Sequence, residues 1–295
     1  MSAVFLLSVS IAFAVINNLL FHGFKNRGLR GMGDILFFNA IMSVLWIVIL
    51  SVLNRGAHIS AQAFLWGIAY GIVMAAFLLC KMQAMATGSV SITSFIGCSS
   101  LIISTLFGVI FFKENVTVLQ IVGVVLLIFS LFLTLTGSGS KEKGGKKREW
   151  FIWCGLFFLC SGATGIIFKL HQASPVREEI NQMLLAAAIT SAVLFGLSSL
   201  LVQWKSDRTL PRIGREAIFF VIACAIVSCG YNRLNISLSG MLPSIIFFPS
   251  FNGSVIILAS ALAAILFKER ISRKQLYGML TGIAALLLTA GVFNG

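Results

Sequence analysis

Ten apolar stretches follow one another along the chain, and short connections that carry charges or glycines separate them. A helix needs roughly 20 mostly apolar residues to cross the hydrocarbon core of a bilayer. Backbone groups in lipid must be hydrogen-bonded within the protein, so each stretch is predicted to be a helix. The predicted spans are residues 2–22, 33–53, 61–81, 88–112, 116–136, 150–170, 180–203, 216–235, 241–267 and 273–293.

The composition supports a chain that lies mostly in lipid. Hydrophobic residues make up 58% of the 295 residues and charged residues only 11%, too few charges to cover a soluble surface. We therefore predict an all-α polytopic membrane protein. The longest polar run, residues 137–149, is predicted to be a basic linker between residues 1–136 and residues 150–295, with five spans in each part.

The net charge of +13 has a topological interpretation. In a soluble protein such an excess would suggest nucleic acid, but here Lys and Arg cluster in connections, and no nucleic-acid partner is predicted. Of the 22 Lys and Arg residues, 17 fall at odd-numbered connections; the other five are Arg55, Lys113, Lys169, Arg177 and Arg233. Positive charge marks the cytoplasmic side. We expect a multi-pass protein of the plasma (inner) membrane with both termini outside.

The two parts of the chain share a motif. Phe112-Lys113-Glu114, followed by Gln120 and Gly123, recurs 155 residues later as Phe267-Lys268-Glu269, Gln275 and Gly278. Upstream, Lys81, Gln83 and Gly88 match Arg233, Asn235 and Gly240 at an offset of 152 residues. Because each part has an odd number of spans, the two copies are expected to lie in opposite orientations. Inverted repeats are typical of secondary transporters, with the substrate site at the repeat interface.

With this motif, the whole chain resembles the drug/metabolite transporter superfamily, specifically its ten-helix EamA-type members. The resemblance rests on a Glu at the end of the fourth and ninth spans, with Gln and Gly in the next helix. It implies ten helices around a central cavity and transport of small organic solutes, often outward. The shared motif is structural, so the resemblance carries no substrate with it.

The ionisable residues narrow the function. No Asp or Glu falls in the middle of a span, which argues against a simple cation/proton antiporter and favours polar or anionic solutes. His171, at the end of the sixth span, has no second His three or four residues away and is expected at the membrane interface. We find no catalytic constellation and no metal-ligand spacing, so neither an enzyme nor a cofactor is predicted.

Two cations at matching positions are the first candidate site residues. Lys81 and Arg233 are each followed two residues later by an amide side chain, Gln83 or Asn235. They are predicted to line the two vestibules and to attract an anionic substrate group. The alternative is that both cations anchor their helices at the lipid headgroups.

The second group of candidates comes from interrupted or polar spans. Pro249 in the ninth span removes a backbone hydrogen bond and is expected to kink or break that helix. We predict a cavity bordered by Ser94, Pro249 and Asn252, the alternative being a kink that serves packing. In the first span, Asn17 is expected to line the cavity or to bind a neighbouring helix, whereas the adjacent Asn18 must face another way.

The leading function is a secondary transporter of small polar or anionic metabolites that works by alternating access, with export as the expected direction. A flippase for lipid-linked headgroups and a non-transporting scaffold are the alternatives. Ten helices suffice for a complete pathway, so a monomer in the lipid bilayer is expected.

Overall fold

The computed structural model describes residues 2–28, 32–87, 90–136, 147–205, 215–266 and 272–289, and all regular secondary structure within these ranges is helical. The helices are α1 (Ala3–Gly28), α2 (Met32–Asn54), α3 (Ala61–Thr87), α4 (Val90–Ser99), α5 (Leu101–Phe111), α6 (Val118–Thr136), α7 (Lys147–Gln172), α8 (Ile180–Lys205), α9 (Arg215–Met241), α10 (Ser244–Leu266) and α11 (Arg273–Thr289).

These helices confirm a polytopic all-α membrane fold. Nine segments of the described chain are long and apolar enough to cross a bilayer. Each predicted span corresponds to one helix, except that the fourth consists of α4 and α5. Helix α11, the tenth span, has 17 residues. Helix α7 begins at Lys147, inside the predicted linker, and residues 137–146 lie outside the described ranges, as does Glu269 of the second motif copy.

Helices α6 and α11 begin with the same local structure. At α6, the Thr117 backbone nitrogen donates to Gln120 Oε1 (3.0 Å) and the Gln120 nitrogen donates to Thr117 Oγ1 (3.3 Å). At α11, Ser272 and Gln275 make the same two bonds, at 2.8 and 3.2 Å. Each pair is a capping box, in which two otherwise unpaired donors at a helix start are satisfied reciprocally. The position of Gln, which the two copies of the motif share, thus has a structural cause.

The chain forms two compact units. The first unit comprises Met1–Leu7, Ala76–Lys169 and Leu238–Gly295; the second comprises Ser8–Ala75 and Leu170–Ser237. Each unit therefore combines helices from both parts of the sequence. The linker predicted at residues 137–149 separates two sequence repeats, not these compact units. The division into repeats stays a prediction.

In the first unit, α6 and α11 pack against each other through small residues. A Cβ at Gly123 would lie 2.9 Å from the backbone nitrogen of Thr289, and a Cβ at Gly278 would lie 2.6 Å from that of Thr134. The start of each helix therefore meets the end of the other, so the two run antiparallel. Close approach of this kind is how membrane helices gain van der Waals packing.

In the second unit, α2 and α8 are also antiparallel. Ser191 of α8 donates a hydrogen bond to Ser43 of α2 (3.0 Å), and Ser199 near the end of α8 donates to the carbonyl of Gly33 at the start of α2 (3.0 Å). Helix α3 packs on α8 through Gly67 and Gly71, where any Cβ would collide with backbone atoms of α8. The spacing of these two glycines thus serves packing within the chain.

Candidate functional site

The fourth span is interrupted after Ser99, where α4 ends. The break lies five residues beyond Ser94, which matches Pro249 at the 155-residue offset. Ser100 Oγ donates to the carbonyl of Gly97 (2.6 Å) and lies 2.5 Å from Ser161 Oγ of α7. A serine hydroxyl that binds a carbonyl three residues earlier competes with the backbone ladder. The interruption therefore has a local cause in Ser100 and a partner in α7.

Helix α10, by contrast, is continuous through Pro249. Pro249 is buried, whereas Ser94 on α4 and Asn252 on α10 are half-buried, and all three belong to the first unit. Asn252 Nδ2 donates to the carbonyl of Phe248, four residues earlier (2.9 Å), so part of its amide is already used within α10. The cavity bordered by these three residues stays a prediction.

Lys81 is half-buried in the part of α3 that belongs to the first unit. Its ammonium lies 5.9 Å from the centre of the Phe77 ring, a cation–π distance. Phe77 lies four residues earlier on the same helix, so this contact stays within α3, and the role of Lys81 stays a prediction. Gln83, two residues on, is half-buried as well.

The counterpart of Lys81, Arg233, is exposed on α9 in the second unit, and its Nε donates to Asn181 Oδ1 of α8 (2.8 Å). Asn235 is buried and accepts a hydrogen bond from Ser10 Oγ of α1 (2.7 Å). The amide oxygen of Asn235 therefore links two helices, which favours a role in helix contact for this predicted site residue.

Further polar groups of α9 bind neighbouring helices of the second unit. Tyr70 of α3 donates its hydroxyl proton to Asn232 Oδ1 (2.6 Å), and Asn232 Nδ2 donates to the carbonyl of Ser228 (2.8 Å). Trp46 of α2 donates from Nε1 to Ser228 Oγ (3.0 Å). Buried amides and hydroxyls in lipid need such partners. The network ties α2, α3 and α9 together, and the sequence analysis had singled out none of its bonds.

Three buried polar atoms lack a hydrogen-bond partner within the described part of the chain: Asn17 Oδ1, Thr105 Oγ1 and His171 Nε2. Asn17 is half-buried and Asn18 is exposed, as expected from their adjacency on one helix. His171 is completely buried within the protein, one residue before the end of α7, and its depth at the membrane interface stays a prediction. An unpaired buried polar group costs about 1–3 kcal/mol, which makes these atoms the ones most ready to accept a solute or water.

Sequence reasoning missed a buried cluster built on Glu114. Its Oε1 lies 2.8 Å from Lys169 Nζ of α7, with the two side chains 12% and 11% exposed. The same carboxylate accepts hydrogen bonds from the backbone nitrogen of Ser244 (2.6 Å) and from its hydroxyl (3.0 Å), at the first residue of α10. Lys169 also donates to the carbonyl of Leu242 (3.1 Å). A carboxylate at a helix N-terminus meets unpaired N–H groups and the positive end of the dipole.

A second carboxylate at a span end has a related role. Glu179, at the start of α8, accepts a hydrogen bond from the backbone nitrogen of Ser60 (3.1 Å), and Ser60 Oγ caps α3 by accepting from the nitrogen of Ala63 (3.1 Å). Both carboxylates thus serve helix starts, a role that their position in connections did not reveal. No group of three His, Cys, Asp or Glu in the described ranges is arranged to hold a metal ion.

Comparisons with known proteins show the fold and leave the family open. No protein-family model matches the chain, and no curated protein matches it in sequence. One solved structure, described only as "Crystal structure of protein", is similar to this chain with a TM-score of 0.74 and 12% identity. The match covers 99% of this chain and 97% of the other. At this identity the similarity shows a shared fold alone, and the resemblance to the drug/metabolite transporter superfamily stays a prediction.

Proposed function

We propose that the protein is a secondary transporter of small polar or anionic metabolites, built as two inverted five-helix repeats in the manner of EamA-type transporters. The observation that carries this proposal is the reciprocal packing of α6 and α11. Gly123 meets Thr289 and Gly278 meets Thr134, and both pairs follow from one 155-residue offset. Two antiparallel helices with interchanged contacts are what a two-fold axis between inverted repeats would produce.

The twin capping boxes support the same relation, because Thr117 and Ser272 are also 155 residues apart. In this proposal the substrate site lies near the repeat interface, and alternating access comes from motion of the repeats around it. The protein would lie in the plasma membrane with both termini outside, as the distribution of Lys and Arg predicts.

Lys81 and Arg233 are proposed to attract the anionic group of the substrate from the two sides. Lys81 is held beside Phe77, while Arg233 is exposed and oriented by Asn181. Asn17 is the proposed hydrogen-bond acceptor, because its buried amide oxygen lacks a partner within the described chain.

The test is a thermal-shift screen of the purified protein with amino acids, sugar phosphates, nucleotide sugars, cationic drugs and amphiphiles, followed by uptake into reconstituted vesicles. A ligand at 100 times its Kd adds about 2.7 kcal/mol of stability. We expect an anionic or polar metabolite to stabilise the chain, and Lys81→Gln and Arg233→Gln to weaken that effect and the uptake. Arg177→Gln is the matched control, since Arg177 is an exposed cation paired with Glu178.

Stabilisation by cationic drugs alone would contradict the preference for anions. Stabilisation by amphiphiles alone would replace a metabolite transporter with a headgroup flippase. Normal uptake in both Lys81→Gln and Arg233→Gln would remove these two side chains from the site.

A further inference from the structure

The cluster of Glu114, Lys169 and Ser244 joins three separate elements at one end of the first unit: the connection after α5, the end of α7 and the start of α10. We propose that the Glu114–Lys169 ion pair is a conformational latch, which holds these three ends together in the state described and opens during the transport cycle. This inference rests on the proposed transport function.

The closed arrangement satisfies both charges. The carboxylate accepts three hydrogen bonds, from Lys169 Nζ, from the Ser244 nitrogen and from the Ser244 hydroxyl. Lys169 adds a bond to the Leu242 carbonyl, and its ammonium lies 5.8 Å from the centre of the Phe112 ring. A buried ion pair gives little net stability compared with apolar packing, and its best-attested use is to specify one arrangement or to act as a switch.

The open arrangement is accessible because of where the charges lie. Glu114 follows the end of α5, and Lys169 lies three residues before the end of α7. Both are at the ends of their spans, on the side that the charge distribution predicts to be outside, so water can hydrate each charge once the helix ends separate. A charge in the middle of a span would lack this compensation. Two arrangements of similar free energy are what a switching element requires.

The contacts beneath the ion pair are made by small residues. A Cβ at Gly108 of α5 would collide with the Ser244 side chain, and a Cβ at Gly165 of α7 would collide with Ser104 of α5. Thr105, on the same part of α5, is 4% exposed and its hydroxyl lacks a partner within the described chain. Opening the latch would let water reach this hydroxyl, so Thr105 reports on the state of the helix ends.

The experiment measures how fast a cysteine at position 105 reacts with a membrane-impermeant thiol reagent added to the outside of sealed vesicles. The full-length chain has its six native cysteines replaced and carries Thr105→Cys. We expect slow labelling in this parent and labelling about tenfold faster with Glu114→Gln or Lys169→Met, since a tenfold change in the opening equilibrium corresponds to about 1.4 kcal/mol.

Two controls make the result specific to the latch. Glu178→Gln removes an exposed ion pair, with side chains 67% and 89% exposed, and should leave the rate at position 105 unchanged. A chain that retains Cys229 alone, a buried thiol on α9, should stay slow when Glu114→Gln is added.

If position 105 is labelled as slowly in both Glu114→Gln and Lys169→Met as in the parent, the proposal is overturned. Glu114 would then be only a permanent cap at the start of α10. Acceleration at Cys229 as well as at position 105 would also overturn it, because that result means general loss of packing. Labelling needs no substrate, so acceleration confined to position 105 supports the latch even if no transported solute is found. Failure of the latch proposal can therefore be distinguished from failure of the transport proposal.

Discussion

Gly123 of α6 lies so close to Thr289 of α11 that an added methyl group would sit 2.9 Å from the Thr289 backbone nitrogen. Gly278 stands in the same relation to Thr134, at 2.6 Å. Because backbone atoms form the obstacle in both cases, rotation of a side chain cannot relieve the contact. The interface between α6 and α11 therefore requires glycine at positions 123 and 278, which are 155 residues apart.

Gly123→Ala and Gly278→Ala are each expected to lower the free energy of unfolding by about 1–3 kcal/mol, the usual cost of overpacking. The two losses should be similar, because the two contacts are equivalent. Thermal unfolding in detergent measures them. Gly155→Ala on α7 is the matched control, since an added Cβ there meets no atom within 4 Å. A loss at one glycine only would contradict the reciprocal interface.

The capping boxes give a second prediction. Gln120→Ala and Gln275→Ala each leave one N-cap backbone donor unpaired, and loss of a helix cap typically costs about 0.5–2 kcal/mol. Thr117→Ala should cost a similar amount, whereas Thr117→Ser keeps the hydroxyl acceptor and should be nearly neutral. The measurement is the midpoint of unfolding in detergent. Equal stability of Thr117→Ala and Thr117→Ser would show that the cap contributes nothing.

Lys113 carries a third prediction through its backbone. Its φ is 50°, in the left-handed region, immediately after α5 and before Glu114. Non-glycine residues pay roughly 1–2 kcal/mol in this conformation, and β-branched residues fit it worst. Lys113→Gly is expected to preserve or raise the unfolding temperature, and Lys113→Val to lower it. The reverse order would mean that the Lys113 side chain, rather than its backbone, stabilises this turn.

The helices could be predicted from the sequence because apolar length alone determines whether a segment can span a bilayer. The spacing of the repeated motif also held a readable signal: Thr117 and Ser272 precede Gln120 and Gln275 by three residues, the pattern of a capping box. Gln120 and Gln275 can therefore be recognised as capping residues from their spacing alone.

The polar clusters were beyond reach of sequence reasoning because their partners are distant in the chain. Glu114 lies in a connection, and its hydrogen-bond donor Ser244 is 130 residues away. The burial of His171 within the protein likewise depends on tertiary packing around the end of α7, which the sequence does not reveal. Asn232, Arg233 and Asn235 bind residues of α3, α8 and α1, respectively, and these partners are also distant in the chain.

The bond between Tyr70 and Asn232 provides the last prediction. Tyr70→Phe removes the donor that satisfies Asn232 Oδ1 and leaves a buried acceptor in the second unit. Hydrogen bonds between membrane helices average about 0.6 kcal/mol, with a maximum near 1.7 kcal/mol. We expect a loss of stability in this range, measured by reversible unfolding in detergent. A double-mutant cycle with Asn232→Leu isolates the pair, because the second change should cost less once Tyr70 is Phe. Additive losses would show that the 2.6 Å contact is energetically neutral, and the polar face of α9 would then be free to serve a solute instead of the helix bundle.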